Sequence, residues 1–165
     1  MLGLHILLAV GIAAFANALD PLGIVGAFVL VYLVLKLGGR LIRVGNYVQR
    51  LELGTRFVVW FSGEVVRASI DVARIVIARR IRTSPAILQV TLEDRREGVA
   101  TLVGLLLTLT PGTMALEYEP ETGVLFIHAL DADSVDQVER DVREIERRLL
   151  DWMDPGRRVV REGEA

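Results

Sequence analysis

Residues 2–37 read LGLHILLAVGIAAFANALDPLGIVGAFVLVYLVLKL, and this stretch decides the fold. It contains two nearly uncharged apolar runs, Leu2–Leu19 and Leu22–Leu37, of 18 and 16 residues. At about 1.5 Å per residue each run covers roughly 24–27 Å as a helix, close to the hydrocarbon core of about 30 Å. Asp20 can cap the second helix, and Pro21 suits its first position because no helical hydrogen bond is lost there. The stretch predicts a transmembrane helical hairpin over residues 1–39, which Gly38-Gly39 would end.

Positive charges follow the hairpin and are missing from its turn. Residues 17–21 contain no Lys or Arg. The positive-inside bias therefore places the turn outside the cell and both ends of the hairpin in the cytoplasm. A cleaved signal peptide is the alternative for Met1–Leu19, but this run has no basic segment before it and leads directly into the second run. The cations that set the orientation are Lys36, Arg40, Arg43, Arg50 and Arg56.

Charge and hydrophobicity are segregated along the chain, which is 52% hydrophobic and 24% charged. Residues 1–82 carry a net charge of +6 and residues 83–165 a net charge of −8. This division is typical of an anchored protein whose basic half contacts anionic lipid and whose acidic half faces water. The near-neutral total charge gives no indication of nucleic-acid binding. The absence of cysteine excludes disulfides, iron–sulfur clusters and thiol catalysis. Because His5 and His128 are the only histidines, a histidine-rich metal site is excluded as well, and no cofactor is expected.

Residues 40–83 are predicted to form a basic segment followed by an amphipathic helix over Phe57–Ala78. This third apolar stretch is long enough to span, but four ionisable side chains interrupt it at spacings of three, four and three. Inserting them would cost about 2.5–3.5 kcal/mol each, less what their mutual pairing recovers. We expect an interfacial or tilted helix on the cytoplasmic face, and a third span buried against partner subunits remains the alternative. The four residues are Glu64, Arg67, Asp71 and Arg74.

These four charges fall on one side of the predicted helix, away from apolar residues such as Phe57, Phe61 and Val72. The simplest interpretation is a solvated stripe whose charges pair with one another. The stripe is also a candidate subunit interface. A sharper alternative is that Glu64 and Asp71 line an ion path.

Residues 84–154 have the pattern of a small α+β domain. Alternating apolar and polar residues predict three strands, at 86–92, 113–118 and 123–130, and a buried helix over 98–109. A capping box at Ser134 and Gln137 opens a second, amphipathic helix that Pro155-Gly156 ends. The order βαββα predicts a three-stranded sheet covered by two helices. Residues 155–165 are predicted to be a flexible tail.

Two short motifs join these elements. Residues 107–113 read LTLTPGT, in which Pro111 cannot continue a helix and Gly112 is free to adopt positive φ. The second motif, at residues 123–131, reads GVLFIHALD. Taken alone, the first is a helix-to-strand connector and the second is a strand with its exit turn.

Together, behind an apolar hairpin, these motifs resemble the E subunit of Mrp-type multisubunit Na⁺/H⁺ antiporters. That family has a TLTPGT core and a VHxLD strand end at this separation. The chain departs from the pattern at Leu105, where the family commonly has Asn, and at Ile127, where it has Val. The motif residues that the resemblance implies are Thr108, Thr110, Pro111, Gly112, Thr113, His128 and Asp131.

The resemblance implies an accessory or assembly subunit of a cell-membrane complex that exchanges cytoplasmic Na⁺ for external H⁺. Its partners would be the other integral membrane subunits and the lipid bilayer, with the C-terminal domain in the cytoplasm. The residues agree, because two helices and an interfacial segment cannot enclose a path across the membrane. The alternative is a free-standing membrane-anchored domain that senses a small ligand. An enzyme is disfavoured because the soluble half has no nucleophile–base pair, phosphate loop or metal constellation.

Three polar positions each have a structural and a functional interpretation. His5 is either a structural residue near the membrane interface or a member of a proton relay. His128 either fixes the end of its strand, with Asp131 close enough to pair, or senses pH. Asp131 and Asp133 either cap the last helix or bind a cation, and capping is the simpler explanation.

Overall fold

The computed structural model of the chain describes residues 1–42, 45–78, 83–131 and 135–155. Within these ranges it has five helices and a three-stranded antiparallel sheet. Two compact units are formed, Met1–Leu53 and Gly54–Ala165, and their boundary falls inside the third helix. The elements are α1 (Leu2–Phe15), α2 (Pro21–Ile42), α3 (Gly45–Ile77), β1 (Ala86–Thr91), α4 (Glu97–Leu109), β2 (Thr113–Glu119), β3 (Val124–Ala129) and α5 (Val135–Met153).

The first unit is built on a tight helical hairpin. α1 ends at Phe15 because the chain turns at Asn17, which adopts a φ of 53°. The Asp20 carboxylate accepts a 2.7 Å hydrogen bond from the backbone N–H of Gly23, so the predicted cap is confirmed. Gly23 is required there, because a Cβ atom would collide with the carbonyl oxygen of Ala18. The two helices are thereby held side by side.

Small residues form the contact between α1 and α2. Ala9, Ala13 and Ala27 are buried there, with Ile24 and Phe28 packed against them. Most of the large apolar side chains of both helices point outward and are exposed. Among the described helices, only α2 contains a window that is long and apolar enough to cross a membrane, at Pro21–Gly38.

Two predicted boundaries in this region are wrong. α2 continues through Gly38-Gly39 to Ile42, because a glycine in a helix costs only about 1 kcal/mol and neither of these adopts positive φ. α3 begins at Gly45, twelve residues before the predicted start at Phe57. Its first turns are fixed by Tyr47 and Val48, which pack within the hairpin unit.

In the second unit the elements that follow α3 have the order β1-α4-β2-β3-α5. The sheet has the strand order β1-β3-β2, with β3 in the centre and both pairs antiparallel. A bulge between Ala115 and Glu117 interrupts the pairing of β2 with β3. α4 and α5 supply the apolar side chains that cover one face of the sheet, around Val103, Ile127 and Val142. The other face of the sheet carries Ile87, Met114 and His128.

Several predicted features lie outside the described residues. These are Asp133, the proposed cap Ser134, the side chains of Arg40 and Arg43, and the tail from residue 156 onward. α5 itself is present from Val135, and its buried face includes Val138, Val142, Ile145 and Leu149.

Candidate functional site

Aromatic side chains join α3 to α5 in the second unit. Phe57 is buried in the domain core and stacks on Trp152, with ring centroids 6.2 Å apart. One turn further on, the Arg148 guanidinium lies 4.4 Å above the Trp60 ring. Gly54 allows this approach, because a Cβ atom there would lie 2.8 Å from Nε1 of Trp152. The apolar side of α3 therefore packs on the chain's own domain.

The charged stripe of α3 pairs within itself. Arg67 donates to both carboxylate oxygens of Glu64, at 3.0 and 3.1 Å, and Arg74 donates to Asp71 at 2.9 Å. Both arginine side chains are largely exposed. The predicted pairing is thus present, and each pair is a surface ion pair of the kind that contributes about 0–1 kcal/mol.

Threonine hydroxyls hold together the turn at LTLTPGT. Thr108 donates to the carbonyl oxygen of Gly104 at 2.9 Å and accepts a longer bond, at 3.3 Å, from the N–H of Ala115 on β2. Thr110 donates to Leu106 at 3.1 Å, and Thr113 donates back to Leu107 at 2.9 Å. The Thr110 and Thr113 hydroxyls therefore add hydrogen bonds to carbonyl groups of the last turn of α4, where the helical pattern of bonds ends. The motif fixes the angle between α4 and β2.

Gly112 is the tightest point of this turn. It adopts a φ of 96°, as its sequence position predicts, and a Cβ atom there would lie 3.3 Å from Cγ2 of Val72 on α3. Its carbonyl oxygen accepts a 2.8 Å hydrogen bond from the N–H of Leu130. The motif therefore contacts both α3 and the segment that follows β3.

Three of the four stripe residues and part of the motif meet in one groove between α3, α5 and the end of α4. We call it the α3–α5 groove; its volume is about 390 Å³. Its apolar floor is formed by Leu107, Val138 and Ile145, which are buried. Its polar lining residues are Glu64, Arg67, Asp71, Thr110, Thr113, Gln137 and Asp141.

Carboxylates exceed cations on this polar lining. Burial raises the pKa of the Asp141 carboxyl, and the nearby Glu64 adds to this, while a hydrogen bond from Gln137 opposes it. That bond is 2.7 Å long, and no ion pair of Asp141 is present among the described residues. The groove can accommodate an apolar side chain on its floor and a basic group at its rim.

His128 and Asp131 lie apart from the groove. His128 stands in register between Ile87 on β1 and Met114 on β2, half-buried on the face of the sheet that the helices leave open. Asp131 follows β3 and is also half-buried. The structure therefore brings Thr110 and Thr113 together with the stripe and leaves His128 on a different surface.

Comparison with known proteins identifies the family. Residues 5–151 match the family described as "MNHE: Na⁺/H⁺ ion antiporter subunit". The Na⁺/H⁺ antiporter E subunit of Alkalihalophilus pseudofirmus is 26% identical over 149 residues, covering 90% of this chain and 94% of the relative. The E1 subunit of a Staphylococcus aureus Na⁺/H⁺ antiporter is 31% identical over 133 residues, covering 75% of this chain and 80% of the relative. This chain belongs to the family of Na⁺/H⁺ antiporter E subunits.

A solved structure of the Mrp complex from Dietzia sp. also contains a similar chain. It is 24% identical, with a TM-score of 0.45, and the match covers 58% of this chain and 91% of that chain. Members of the E-subunit family are components of a transporter. Among the described residues, no group of three or more His, Cys, Asp or Glu side chains is gathered to hold a metal ion.

One polar cluster of this antiporter component could not be predicted from the sequence. His5 is only 2% exposed, and its ring stacks on Phe28 with centroids 4.0 Å apart. Nε2 lies 3.0 Å from the Phe28 carbonyl oxygen and Nδ1 lies 2.7 Å from the Tyr47 hydroxyl. Nε2 can donate its proton to the Phe28 carbonyl oxygen, and Nδ1 pairs with the Tyr47 hydroxyl. No sequence signal connects His5 to Tyr47, because they are 42 residues apart.

Asp141 and Gln137 were also not recognised as part of a site. The sequence predicts Gln137 as half of a capping box, whereas the structure has its amide donating to Asp141. Their spacing of four places both on one side of α5, and that spacing is the signal that was available.

Proposed function

We propose that this chain is an accessory subunit of a multisubunit monovalent cation/proton antiporter and does not itself move ions. Membership of the antiporter E-subunit family over residues 5–151 supports the assignment to such a complex. Ion translocation needs a bundle of spanning helices with paired ionisable groups near the bilayer centre. This chain offers one helix of spanning length among those described, together with a short apolar companion.

The hairpin unit is proposed to sit in the cell membrane. Large side chains on both of its helices, among them Leu7, Leu22 and Leu37, are exposed. Such a surface needs an apolar surrounding, which lipid or other membrane subunits provide. Positive charges beyond the hairpin favour a cytoplasmic position for the C-terminal domain.

The α3–α5 groove is proposed as the contact through which the domain joins its partners. Three stripe residues, the last of them Asp71, line one groove with the motif residues Leu107, Thr110 and Thr113, although at least 36 positions separate the two sets in the sequence. An apolar floor inside a polar rim is the arrangement of protein–protein contact sites. Because acidic groups exceed basic ones at the rim, a basic segment of a neighbouring subunit fits it.

Co-purification of the assembled complex tests the proposal. We expect Asp141→Lys, which reverses the charge of the rim, to reduce the recovery of partner subunits with a tagged copy of this chain. Antiport in membrane vesicles should fall with it. Glu139→Lys is the matched control, because it makes the same change on α5 outside the groove lining and should leave both readouts unchanged.

Folding must be checked alongside assembly. Equal thermal unfolding midpoints of the two purified variants would assign the loss to the contact rather than to the domain. Full recovery of partners with Asp141→Lys would contradict the role of the groove. Na⁺/H⁺ exchange by this chain alone in liposomes would contradict the accessory role.

A further inference from the structure

α3 has a second uncharged surface, on the side opposite its packing against the domain. The apolar residues expected to face a membrane, including Phe57, Phe61 and Val72, are instead taken up by the domain. The exposed surface left over begins at Val58 and ends at Ile77. We call it the outer face; its residues are Val58, Val59, Ser62, Gly63, Val66, Ser69, Ile70, Ala73, Val76 and Ile77.

The outer face is long, wide and free of charge. Six of its positions recur at spacings of four and three from Val59 to Ile77, so they form a straight stripe about 27 Å long. At 3.6 residues per turn the whole face covers about 140° of the helix. Every one of its residues is exposed; Val66 and Ile77 retain 58% and 83% of their accessible surface. So large an apolar face is unusual on a surface that meets only water.

The polar groups within the outer face are already satisfied. Ser62 donates to the carbonyl oxygen of Val58 at 2.8 Å, and Ser69 donates to that of Val65 at 2.6 Å. Each hydroxyl is therefore bonded to its own helix. The face can enter an apolar environment without leaving these donors unpaired.

Arginines line one edge of this face. Arg56, Arg67 and Arg74 fall within about 20° of one another around the helix. The side chains of Arg67 and Arg74 are 71% and 75% exposed. Their bonds to Glu64 and Asp71 come from Nη1, so within the described part of the chain the other guanidinium N–H groups can still donate. In the sequence, Arg79, Arg80 and Arg82 follow directly after α3. An uncharged face bordered by guanidinium groups matches the boundary between acyl chains and anionic headgroups.

We propose that the outer face of α3 binds the surface of an anionic lipid bilayer, with the helix lying parallel to that surface. The arginine edge contacts lipid phosphates, and Val59, Val66 and Ile77 enter the adjoining acyl region. A single partner helix would need only a narrow seam, whereas this face is about 140° wide. The binding goes beyond the accessory role. It shares Arg67 with the rim of the α3–α5 groove, but Arg56, Arg74 and the whole outer face lie outside that groove.

Single cysteines can report the depth of α3 directly, because the native chain contains none. Environment-sensitive fluorophores would be attached to full-length chains carrying Val59→Cys, Val66→Cys or Ile77→Cys, each reconstituted into phosphatidylcholine vesicles with or without phosphatidylserine. Quenching by shallowly brominated lipids should be strong and similar at all three positions. The control label at Glu117→Cys, exposed on the sheet, should be unquenched.

The charge requirement is tested by a matched pair of variants. Arg56→Gln/Arg67→Gln/Arg74→Gln should weaken quenching only when phosphatidylserine is present. The apparent affinity for lipid should fall by about fivefold for each arginine removed. Arg140→Gln/Arg143→Gln/Arg147→Gln removes three exposed, mostly ion-paired arginines from α5 and should have no effect.

Three outcomes would overturn the proposal. Absence of quenching at all three positions would mean that lipid does not cover the face. A label at position 66 that lies deeper in the bilayer than the labels at positions 59 and 77 would indicate a spanning helix. Disulfide-linked dimers of Val66→Cys without quenching would assign the face to a second copy of this chain. None of these outcomes affects the co-purification that tests membership of the complex.

Discussion

The hairpin unit and the domain unit contain similar apolar side chains and place them in opposite ways. In the hairpin, the buried contact between α1 and α2 is made by three alanines, and the leucines point outward. In the domain, fifteen buried residues from α3, both domain helices and the sheet form one core, and the helix surfaces carry ion pairs.

The difference matches the proposed placement of the hairpin in lipid and of the domain in water. In water, burying a leucine gains about 1.5–3 kcal/mol, so large residues collect inside. In lipid, burying a leucine between two helices gives no such gain, because the acyl chains are equally apolar. Helices there are held together by the close packing of small residues. A change in side-chain size should therefore affect stability in opposite ways in the two units. Two pairs of substitutions test this, and a third prediction concerns charges of the domain unit alone.

The largest effect is expected for a leucine of the domain core. Leu107→Ala should destabilise the domain by about 2–5 kcal/mol, because Leu107 is 2% exposed and its removal leaves a cavity beneath the motif turn. Leu105→Ala, two residues away on α4 and 56% exposed, is the control and should change stability by less than about 1 kcal/mol. Thermal unfolding in detergent, followed by circular dichroism, measures both. Equal losses would contradict the difference in burial between Leu107 and Leu105.

The hairpin should respond to the opposite change. Ala13→Leu should loosen the contact between α1 and α2 by about 1–3 kcal/mol, since the site is buried and has no room for a larger side chain. Ala14→Leu places the same side chain on the exposed side of α1 and should be tolerated. Amide hydrogen exchange of the two helices in micelles measures the effect. If both variants exchanged at the wild-type rate, small residues would not determine this packing.

The same contrast explains how much of the fold the sequence reveals. In the domain, alternating and helical periodicities predict each strand and helix to within a residue or two, because one face of every element is buried. In the hairpin, the helices are apolar on all sides, so no period indicates where they end. The prediction ended α2 at Gly38-Gly39 because paired glycines often follow a helix, whereas the helix continues through them. The start of α3 at Gly45 was missed for a different reason, since residues 45–56 are mostly polar and read as a connecting segment.

The site was partly predictable for a related reason. Pairing of Glu64 with Arg67 follows from their spacing on one helix, and positive φ at Gly112 follows from its place after Pro111. The groove itself was not predictable, because it depends on how α3 packs against α5. That packing is decided by Gly54 and Trp152, which are 98 residues apart.

The smallest effect concerns two carboxylates of α5 and should be confined to the domain unit. Burial raises the pKa of Asp141, whereas hydrogen bonds from Arg147 and then Arg148 lower the pKa of Glu144. Because the pKa of Asp141 is raised by folding, protonated Asp141 favours the folded state. This contribution to stability is lost as the pH rises through that pKa. Because the pKa of Glu144 is lowered by folding, ionised Glu144 stabilises the fold at pH values above the ordinary pKa of a glutamate. This contribution to stability is lost as the pH falls.

The two variants should therefore differ from the wild type in opposite directions at neutral pH. Asp141→Asn should raise the unfolding midpoint slightly, because the neutral amide avoids an ionised carboxylate in the groove. Glu144→Gln should lower it, by an amount equivalent to about 0.5 kcal/mol for a partly exposed ion pair. Both differences should vanish in acid, where the wild-type carboxyls are protonated. A neutral-pH loss with Asp141→Asn would instead mean that the Asp141 carboxylate is held by a cation, which is the kind of group proposed to dock in the groove.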